Sequence, residues 1–359
     1  MDNNVKNLIF SNDVSGNIDA IAKELSPTGI YVIADVNTAT FVVDRLAKTS
    51  TAIAGAHRIT VKSGDINKTI ESVTDIWKEL NRQGATRNSL VINIGGGMVT
   101  DMGGFAAATF KRGLRFVNIP TTLLAAVDAS VGGKTGINFN QYKNEVGLFC
   151  NAHAVIISTC FFDTLPREEI LSGFAEMIKH AIIDANVGLG DLLRSDISAG
   201  TYTGNNFLEH VRRSVMVKQD IVSKDFKETG LRRILNLGHT VGHAFESHAL
   251  RHGIPIAHGY AVAWGLVTEL LISHMTLGLP TDIIYPLAKF IYENYGTYEI
   301  SCDDYPSLLQ LMGHDKKNES PDAITFSLLR DIGVIETGIT VDPDTIRAAL
   351  DIYRDLMHI

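Results

Sequence analysis

The chain has 359 residues, 45% of them hydrophobic and 20% charged, with 32 Lys+Arg against 40 Asp+Glu for a formal charge of −8. That is the make-up of a folded globular protein, long enough for two domains and a large core without disulfide staples. An acidic balance with no basic tail or stripe excludes a nucleic-acid scaffold, though not an anionic substrate held in a locally basic pocket.

In chain order, 29–35 is a β-branched strand ending in Asp35-Val36-Asn37, 38–47 reads as helix and 57–61 as another strand. Over 67–83 the apolar residues Ile70, Val73, Ile76, Trp77 and Leu80 fall at helical spacing. A continuous apolar strand at 89–94 runs into Gly95-Gly96-Gly97, and a short strand at 116–119 is followed by Pro120-Thr121-Thr122. Alternating strands and helices predict a parallel sheet with helices on its faces. After residue 165 the pattern turns helical, with Pro166 placed for a first turn and helices expected at 167–185, 205–224, 236–250, 258–276, 280–294, 304–313 and 343–356. The Gly/Ser/Asn-rich stretch 188–206 predicts a segment that includes a surface loop. The expected architecture is a Rossmann-like α/β domain over 1–165 followed by a mostly α-helical domain over 166–359.

The first ten residues lack the charged-then-apolar pattern of a leader, and the most apolar stretch, 259–275, is interrupted by Glu269 and His274, so it reads as a buried helix. Cys150, Cys160 and Cys302 form no CxxC pair, which fits thiols in a reducing compartment. The expectation is a cytoplasmic chain with no membrane association.

Gly95-Gly96-Gly97-Met98-Val99-Thr100-Asp101 joins a strand to a small-residue helix, where glycines admit close backbone approach and free helix N–H groups can meet a pyrophosphate. It is not GxGxxG, and such turns also occur without ligands, so the segment alone leaves dinucleotide binding open. Asp35 and Asn37 are candidates to hold a ribose or adenine, or plain strand-end turn residues. Val131-Gly132-Gly133-Lys134-Thr135 suggests a P-loop, but that pattern needs a glycine where Asp128 stands, and the reading is rejected. Lys134, and Lys143 beside Asn144, remain as anion-binding or surface residues.

The helix at 167–183 is amphipathic, and Glu176 and Lys179, three apart, project together as either a solvated pair or site residues. On the 205–224 helix Lys218 shares a face with Val211, Val215 and Val222; an inward lysine needs a partner, a ligand or a route to solvent. Asn236, His239 and His243 stand at i, i+3 and i+7 on one predicted helical face, and two histidines four apart suit a divalent metal. This is not HExxH, so zinc-protease chemistry is unsupported. His258 is a further candidate. With twelve histidines in the chain, His180, His248 and His252 among them, spacing does not decide which groups meet at a metal.

Together the stretches GGGMVTDMGGFAAATFKRG, IPTTLLAAVDASVGGKTGIN, KNEVGLF, LPREEILSGFAEMIKH, ETGLRRILNLGHTVGHAFE, HGYAVAWG and MGHDKKN resemble the 3-dehydroquinate synthases, within the wider sugar-phosphate cyclase and polyol dehydrogenase superfamily. They follow the family's order from about residue 31 to about residue 335. The resemblance implies a metal site of Glu176, His239 and His258, filled by zinc with cobalt as the alternative. It implies NAD contacts at Asp35, Asn37, Asp65, Lys68, Gly97, Met98, Val99, Thr100, Asp101, Thr121, Thr122, Phe161, Phe162, Asp163 and Thr164, with Lys134 and Lys143 also near the cofactor. It assigns substrate to Arg112, Asp128, Lys134, Lys143, Asn144, Lys179, Lys218, Arg232, Asn236, His243, Lys316 and Lys317, a basic set suited to a carboxylate and a phosphate.

The implied reaction converts 3-deoxy-D-arabino-heptulosonate 7-phosphate to 3-dehydroquinate and phosphate by transient oxidation with NAD, phosphate elimination, re-reduction and intramolecular aldol closure, an overall lyase reaction of the shikimate pathway to chorismate and the aromatic amino acids. A homodimer is implied, and no nucleic-acid partner. One position departs from the family: Tyr260 stands where His-Gly-Glu is usual, which puts the tuning of the metal site in question rather than its ligands. Three rivals remain: a metal-dependent polyol dehydrogenase, which needs no phosphate-and-carboxylate cage; another sugar-phosphate cyclase; and an inactive nucleotide-binding protein, which needs no intact ligand set.

Overall fold

A computed structural model describes residues 8–140, 142–195, 202–313 and 324–359; Lys316 and Lys317 lie outside the described residues. The chain forms two compact units, Met1–Leu165 with Gly200–Phe226, and Pro166–Ala199 with Lys227–Ile359. The first unit thus breaks off after Leu165 and takes in Gly200–Phe226 again.

The first unit is built on strands β1 (Leu8–Phe10), β2 (Ile30–Asp35), β3 (His57–Val61), β4 (Leu90–Gly95) and β5 (Arg115–Pro120), a hairpin of β6 (Lys134–Phe139) and β7 (Tyr142–Phe149), and β8 (Ala154–Ile157). Six of these make an all-parallel sheet in the order β1-β8-β5-β4-β2-β3. Every residue of β4 is buried, as a central strand covered on both faces requires, and this is why it reads as an unbroken apolar run rather than an alternating one. Helices α1 (Val14–Leu25), α2 (Ile70–Arg82) and α3 (Gly97–Thr109) belong to this unit. On α2 the residues Val73, Ile76 and Leu80 are buried, and the Trp77 indole donates to the Ala106 carbonyl of α3 at 3.1 Å.

The segment expected to be helical at 38–47 is helical from Val36 to Leu46, with a π-helical turn at Ala39–Val43. Strands β1 and β8 and the β6–β7 hairpin are additions to the sequence reading. The two missed sheet strands are only three and four residues long, too short to show a period.

The second unit holds α4 (Arg167–Ile183), then, after the first unit's returning α5 (Asn205–Lys224), α6 (His239–Arg251), α7 (His258–Leu277), α8 (Ile284–Tyr295), α9 (Tyr305–Gly313) and α10 (Pro343–Leu356), with a hairpin of β9 (Ile324–Asp331) and β10 (Val334–Val341). The predicted helices all form, most within three residues of the expected ends. The hairpin was not expected, because its two-residue connection, Ile332-Gly333, lacks the Asn-Gly or Asp-Gly pair that marks such turns.

One helix differs in character from the reading, and another agrees with it. Helix α4 is amphipathic by sequence, yet every residue from Ile170 to Ile183 is buried, Glu176, Lys179 and His180 included. Helix α7, the apolar stretch, is mostly buried as a core helix packed by α4, α6 and α10.

What brings α4, α6 and α7 together is the absence of side chains at their crossings. A Cβ at Gly259 would lie 2.0 Å from the Ser172 carbonyl oxygen, and one at Gly265 would lie 2.1 Å from the Gly238 carbonyl oxygen and 2.7 Å from the Gly242 nitrogen. These are backbone atoms, so nothing flexible can move aside. Gly265→Ala should therefore cost about 2–3 kcal/mol of stability, at the upper end for overpacking. Urea unfolding measures this, and an unchanged midpoint would contradict the backbone contact.

Candidate active site

In the second unit three helices each present one group to a common point. Glu176 comes from the middle of α4, His239 is the first residue of α6, and His258 is the first residue of α7. Their ligand-type atoms lie within 4.8 Å of one another. His239 Nε2 is 3.4 Å from Glu176 Oε1, and His258 Nε2 is 3.7 Å from the same oxygen. The other ring nitrogens are occupied elsewhere: Nδ1 of His239 meets the Leu237 carbonyl at 3.0 Å, and Nδ1 of His258 meets Glu246 Oε2 at 3.5 Å. A carbonyl and a carboxylate can only accept, so both Nδ1 atoms carry hydrogen and both Nε2 atoms are turned toward Glu176.

Glu176 is fully buried and pairs with the Lys179 ammonium one turn along α4, itself 1% exposed, but neither carboxylate oxygen is in hydrogen-bond geometry. Burial opposes its charge, yet Lys179 and the two imidazoles hold the carboxyl well below the usual carboxylate range. Burial, reinforced by Lys179, holds His239 well below an ordinary imidazole, so it is neutral at neutral pH. Burial works against a charged His258, but the neighbouring carboxylates of Glu176 and Glu246 outweigh it and push its pKa up to about 10. One carboxylate, one neutral imidazole and one imidazole that yields a proton on ligation are a donor set that fits a divalent ion such as zinc.

A third imidazole, His243, completes the cluster, its ring centroid 5.3 Å from that of His239 and 5.8 Å from that of His258. Asn236 does not share its helix, as spacing had suggested. It ends the 3-10 segment Leu231–Asn236, which also carries the buried Arg232, and Gly238, at φ 77°, turns the chain before α6 begins. Asn236 instead donates to Glu228 at 3.3 Å. His248, one of the spare histidines, meets the Tyr298 hydroxyl at 2.7 Å and packs against His252.

Glu269 is the group that sequence reasoning passed over. It stands completely buried in the apolar α7 and accepts the Gly238 N–H at 2.6 Å and the Val241 N–H at 2.9 Å, supplying the cap that α6 lacks from its own sequence. A negative charge at a helix N-terminus is favourable, and here it fixes the helix start where His239 sits. The available signal was the carboxylate itself, alone in a long apolar run.

In the first unit the chain reverses direction across the sheet between β2 and β4, so the crevice at their carboxyl ends is where an open parallel sheet takes ligands. Asp35 ends β2, and its carboxylate caps the following turn by accepting the N–H groups of Asn37 and Thr38 at 2.8 and 3.0 Å. Gly95 ends β4, and α3 starts at Gly97 with no side-chain cap, which leaves its first N–H groups open. Thr121 and Thr122 follow β5, Asp65 follows β3, and Phe161–Thr164 follow β8, all at the same edge.

Lys68, 3% exposed, donates to Asp101 at 2.6 Å and to Asn144 at 2.5 Å. Burial raises the pKa of Asp101 even against that ammonium. Asn138 ties the hairpin to the 65–68 turn, donating to the Asp65 carbonyl and accepting the Asn144 N–H. Lys143 lies 3.9 Å from Asp65, and Lys134 is exposed on β6. Lys218 on α5 has its partner: Asp128, whose carboxylate and carbonyl accept from the ammonium at 2.6 and 2.7 Å. The helix that carries it, α5, belongs to the first unit, and its Val211, Val215 and Val222 are buried. Arg112 does not join these groups within the chain. It sits at φ 69° in the turn after α3, beside Thr86 and Arg87 at the amino ends of the strands.

Residues 58–172 match the family model described as 3-dehydroquinate synthase N-terminal, and residues 173–318 match 3-dehydroquinate synthase C-terminal. The chain is 44% identical over 348 residues to the 3-dehydroquinate synthase of Parabacteroides distasonis, spanning 97% of this chain and 98% of that one. It is 44% identical over 297 residues to that of Pyrococcus abyssi, spanning 79% and 86%. Among solved structures, 2-deoxy-scyllo-inosose synthase complexed with carbaglucose-6-phosphate, NAD+ and Co2+ superposes with a TM-score of 0.83 at 23% identity over 96% of this chain and 95% of that one. The 2-epi-5-epi-valiolone synthase of Streptomyces hygroscopicus subsp. jinggangensis, with NAD+ and Zn2+ bound, gives 0.81 at 22% identity over 97% and 96%. At these identities the two structures show the shared fold.

Replacing Glu269 by Gln keeps the shape but offers one oxygen and one NH2 to two backbone donors, leaving one donor unmet. The cost should be about 2 kcal/mol, read as a lower urea midpoint; a midpoint equal to the parent would rule out the capping role.

Proposed function

The chain belongs to the 3-dehydroquinate synthase family, and we propose that it is a carbon–oxygen lyase converting 3-deoxy-D-arabino-heptulosonate 7-phosphate to 3-dehydroquinate and inorganic phosphate. The observation that carries the metal-dependent reading is the buried Glu176 carboxylate, with both oxygens outside hydrogen-bond geometry and two Nε2 atoms turned to it. Glu176, His239 and His258 would hold the divalent ion, zinc or cobalt, which supplies Lewis acidity toward a substrate hydroxyl. The crevice between β2 and β4 would hold NAD, a reversible hydride acceptor. Asp35 and Asn37 would sit at its ribose or adenine, with Asp65, Lys68, Thr121, Thr122 and the Phe161–Thr164 turn around it. The open N–H groups at the start of α3, at Gly97 and Met98, would face its pyrophosphate, with Val99, Thr100 and Asp101 beside it.

The remaining polar groups bind and orient. Lys134, Lys143 and Asn144 on the hairpin offer donors to an anionic group, and the Lys68 bridge holds Asn144 in its left-handed turn (φ 52°). Lys218 is fixed by Asp128 as a positive group that needs no reorganisation when an anion arrives. Lys179 neutralises Glu176 and adds to the burial that keeps His239 unprotonated. His243, exposed beside the cluster, would bind phosphate, and Arg232 and Asn236 would bind the polar substrate further. Arg112, Lys316 and Lys317 belong to the same proposed basic set. The chain is proposed to act in the cytoplasm as a homodimer.

Purified protein given this substrate, NAD and zinc should release inorganic phosphate with no net NADH, and should stop when the metal is chelated. Steady NADH formation on a polyol, without phosphate release, would favour a polyol dehydrogenase instead. Glu176→Gln should lose bound metal and turnover together, by about three orders of magnitude or more in rate (~4 kcal/mol in the barrier); full activity in that variant would refute the ligand set.

A further inference from the structure

Resting on that metal reading, we propose that Glu246 is a positioning residue for His258, holding the ring so that Nε2 is the nitrogen offered to the ion. An imidazole has two nitrogens and, when neutral, one hydrogen; which nitrogen keeps the lone pair is decided by what the other one meets. Nδ1 of His258 meets Glu246 Oε2 at 3.5 Å, and Nε2 points to Glu176 on the opposite side of the ring. A carboxylate accepts and does not donate, so Glu246 selects the Nδ1–H tautomer and frees Nε2.

The placement follows from the helix. Glu246 lies seven residues after His239 and three after His243, so the three project from one face of α6. Glu246 is therefore carried by the same rigid element as His239, and it links that element to the first residue of α7. The two histidines are held differently: His239 is oriented by a neutral carbonyl, that of Leu237, whereas His258 is oriented by an anion, which also raises the basicity of the ring toward a metal. The side chain two residues along does not do this work, because the Tyr260 ring packs edge-on against Trp264 and Tyr295 at 5.8 and 5.1 Å.

Glu246, His243 and His258 also place ligand atoms within 4.8 Å of one another, so the rival role is a direct ligand. The two roles use different His258 nitrogens: as a ligand alongside Glu246, His258 would turn Nδ1 to the ion, and as a positioned residue it turns Nε2.

The test is zinc affinity of the full chain by competition with a chromophoric chelator, with the cobalt-substituted protein's visible absorption as a second readout. Glu246→Ala should weaken zinc binding by about 10- to 100-fold while keeping one ion per chain. Glu246→Gln, whose amide oxygen still accepts the Nδ1–H but carries no charge, should fall between Ala and the parent, and it preserves shape if the Ala variant folds poorly. The cobalt bands should shift without losing intensity. Zinc affinity in both variants within twofold of the parent would overturn the proposal, as would loss of the ion as complete as in Glu176→Gln, which would make Glu246 a ligand. A parent chain that binds no zinc would overturn the metal reading itself.

Discussion

A carboxylate buried among helices is tolerable only if its surroundings neutralise it, and Glu176 imposes that condition on the whole second unit. Lys179, one turn away, is the fixed counter-charge, and its own burial leaves it nowhere else to turn. The two imidazoles stand at distances too long for good hydrogen bonds to the carboxylate and right for sharing a small cation with it. Lone, such a group would be expelled or protonated; here the neighbours keep it ionised and poised.

Meeting that condition requires three helices to approach more closely than side chains permit. Gly259 and Gly265 remove the obstructing atoms, and Glu269 ties the start of one helix to the middle of another through two backbone donors. The placement of the histidines at the first residues of α6 and α7 is then a matter of where those helices begin. Catalytic geometry and helix packing are one problem in this unit, because the same backbone contacts set both.

Much of this was legible in the residues. Apolar spacing locates the helices, and an inward lysine at 218 reads as needing a partner, a ligand or a route to solvent. What the periodicity could not say is which partner, since Asp128 is ninety residues away and pairing at that distance leaves no local trace. The same blindness hid the return of α5 to the first unit and the role of Glu269. Asn236 misled for the opposite reason: its spacing from His239 is helical, but Gly238 breaks the helix between them. The ligand trio of Glu176, His239 and His258 followed from family resemblance rather than from spacing, which would have preferred His243. Arg112 sits in a motif that reads as part of the site, and within the chain it stands beside Thr86 and Arg87, at the opposite end of α3 from Gly97.

The return of Gly200–Phe226 to the first unit bears on how the polypeptide is made. A ribosome delivers the chain from its amino end, and the described sheet strands are all synthesised by residue 157, but the Lys218–Asp128 pair cannot form until Lys218 has left the exit tunnel. The first unit therefore gains its last helix, α5, only after 166–199, material of the other unit, has emerged. A gene fragment cut at the apparent boundary after Leu165 would encode the sheet without α5.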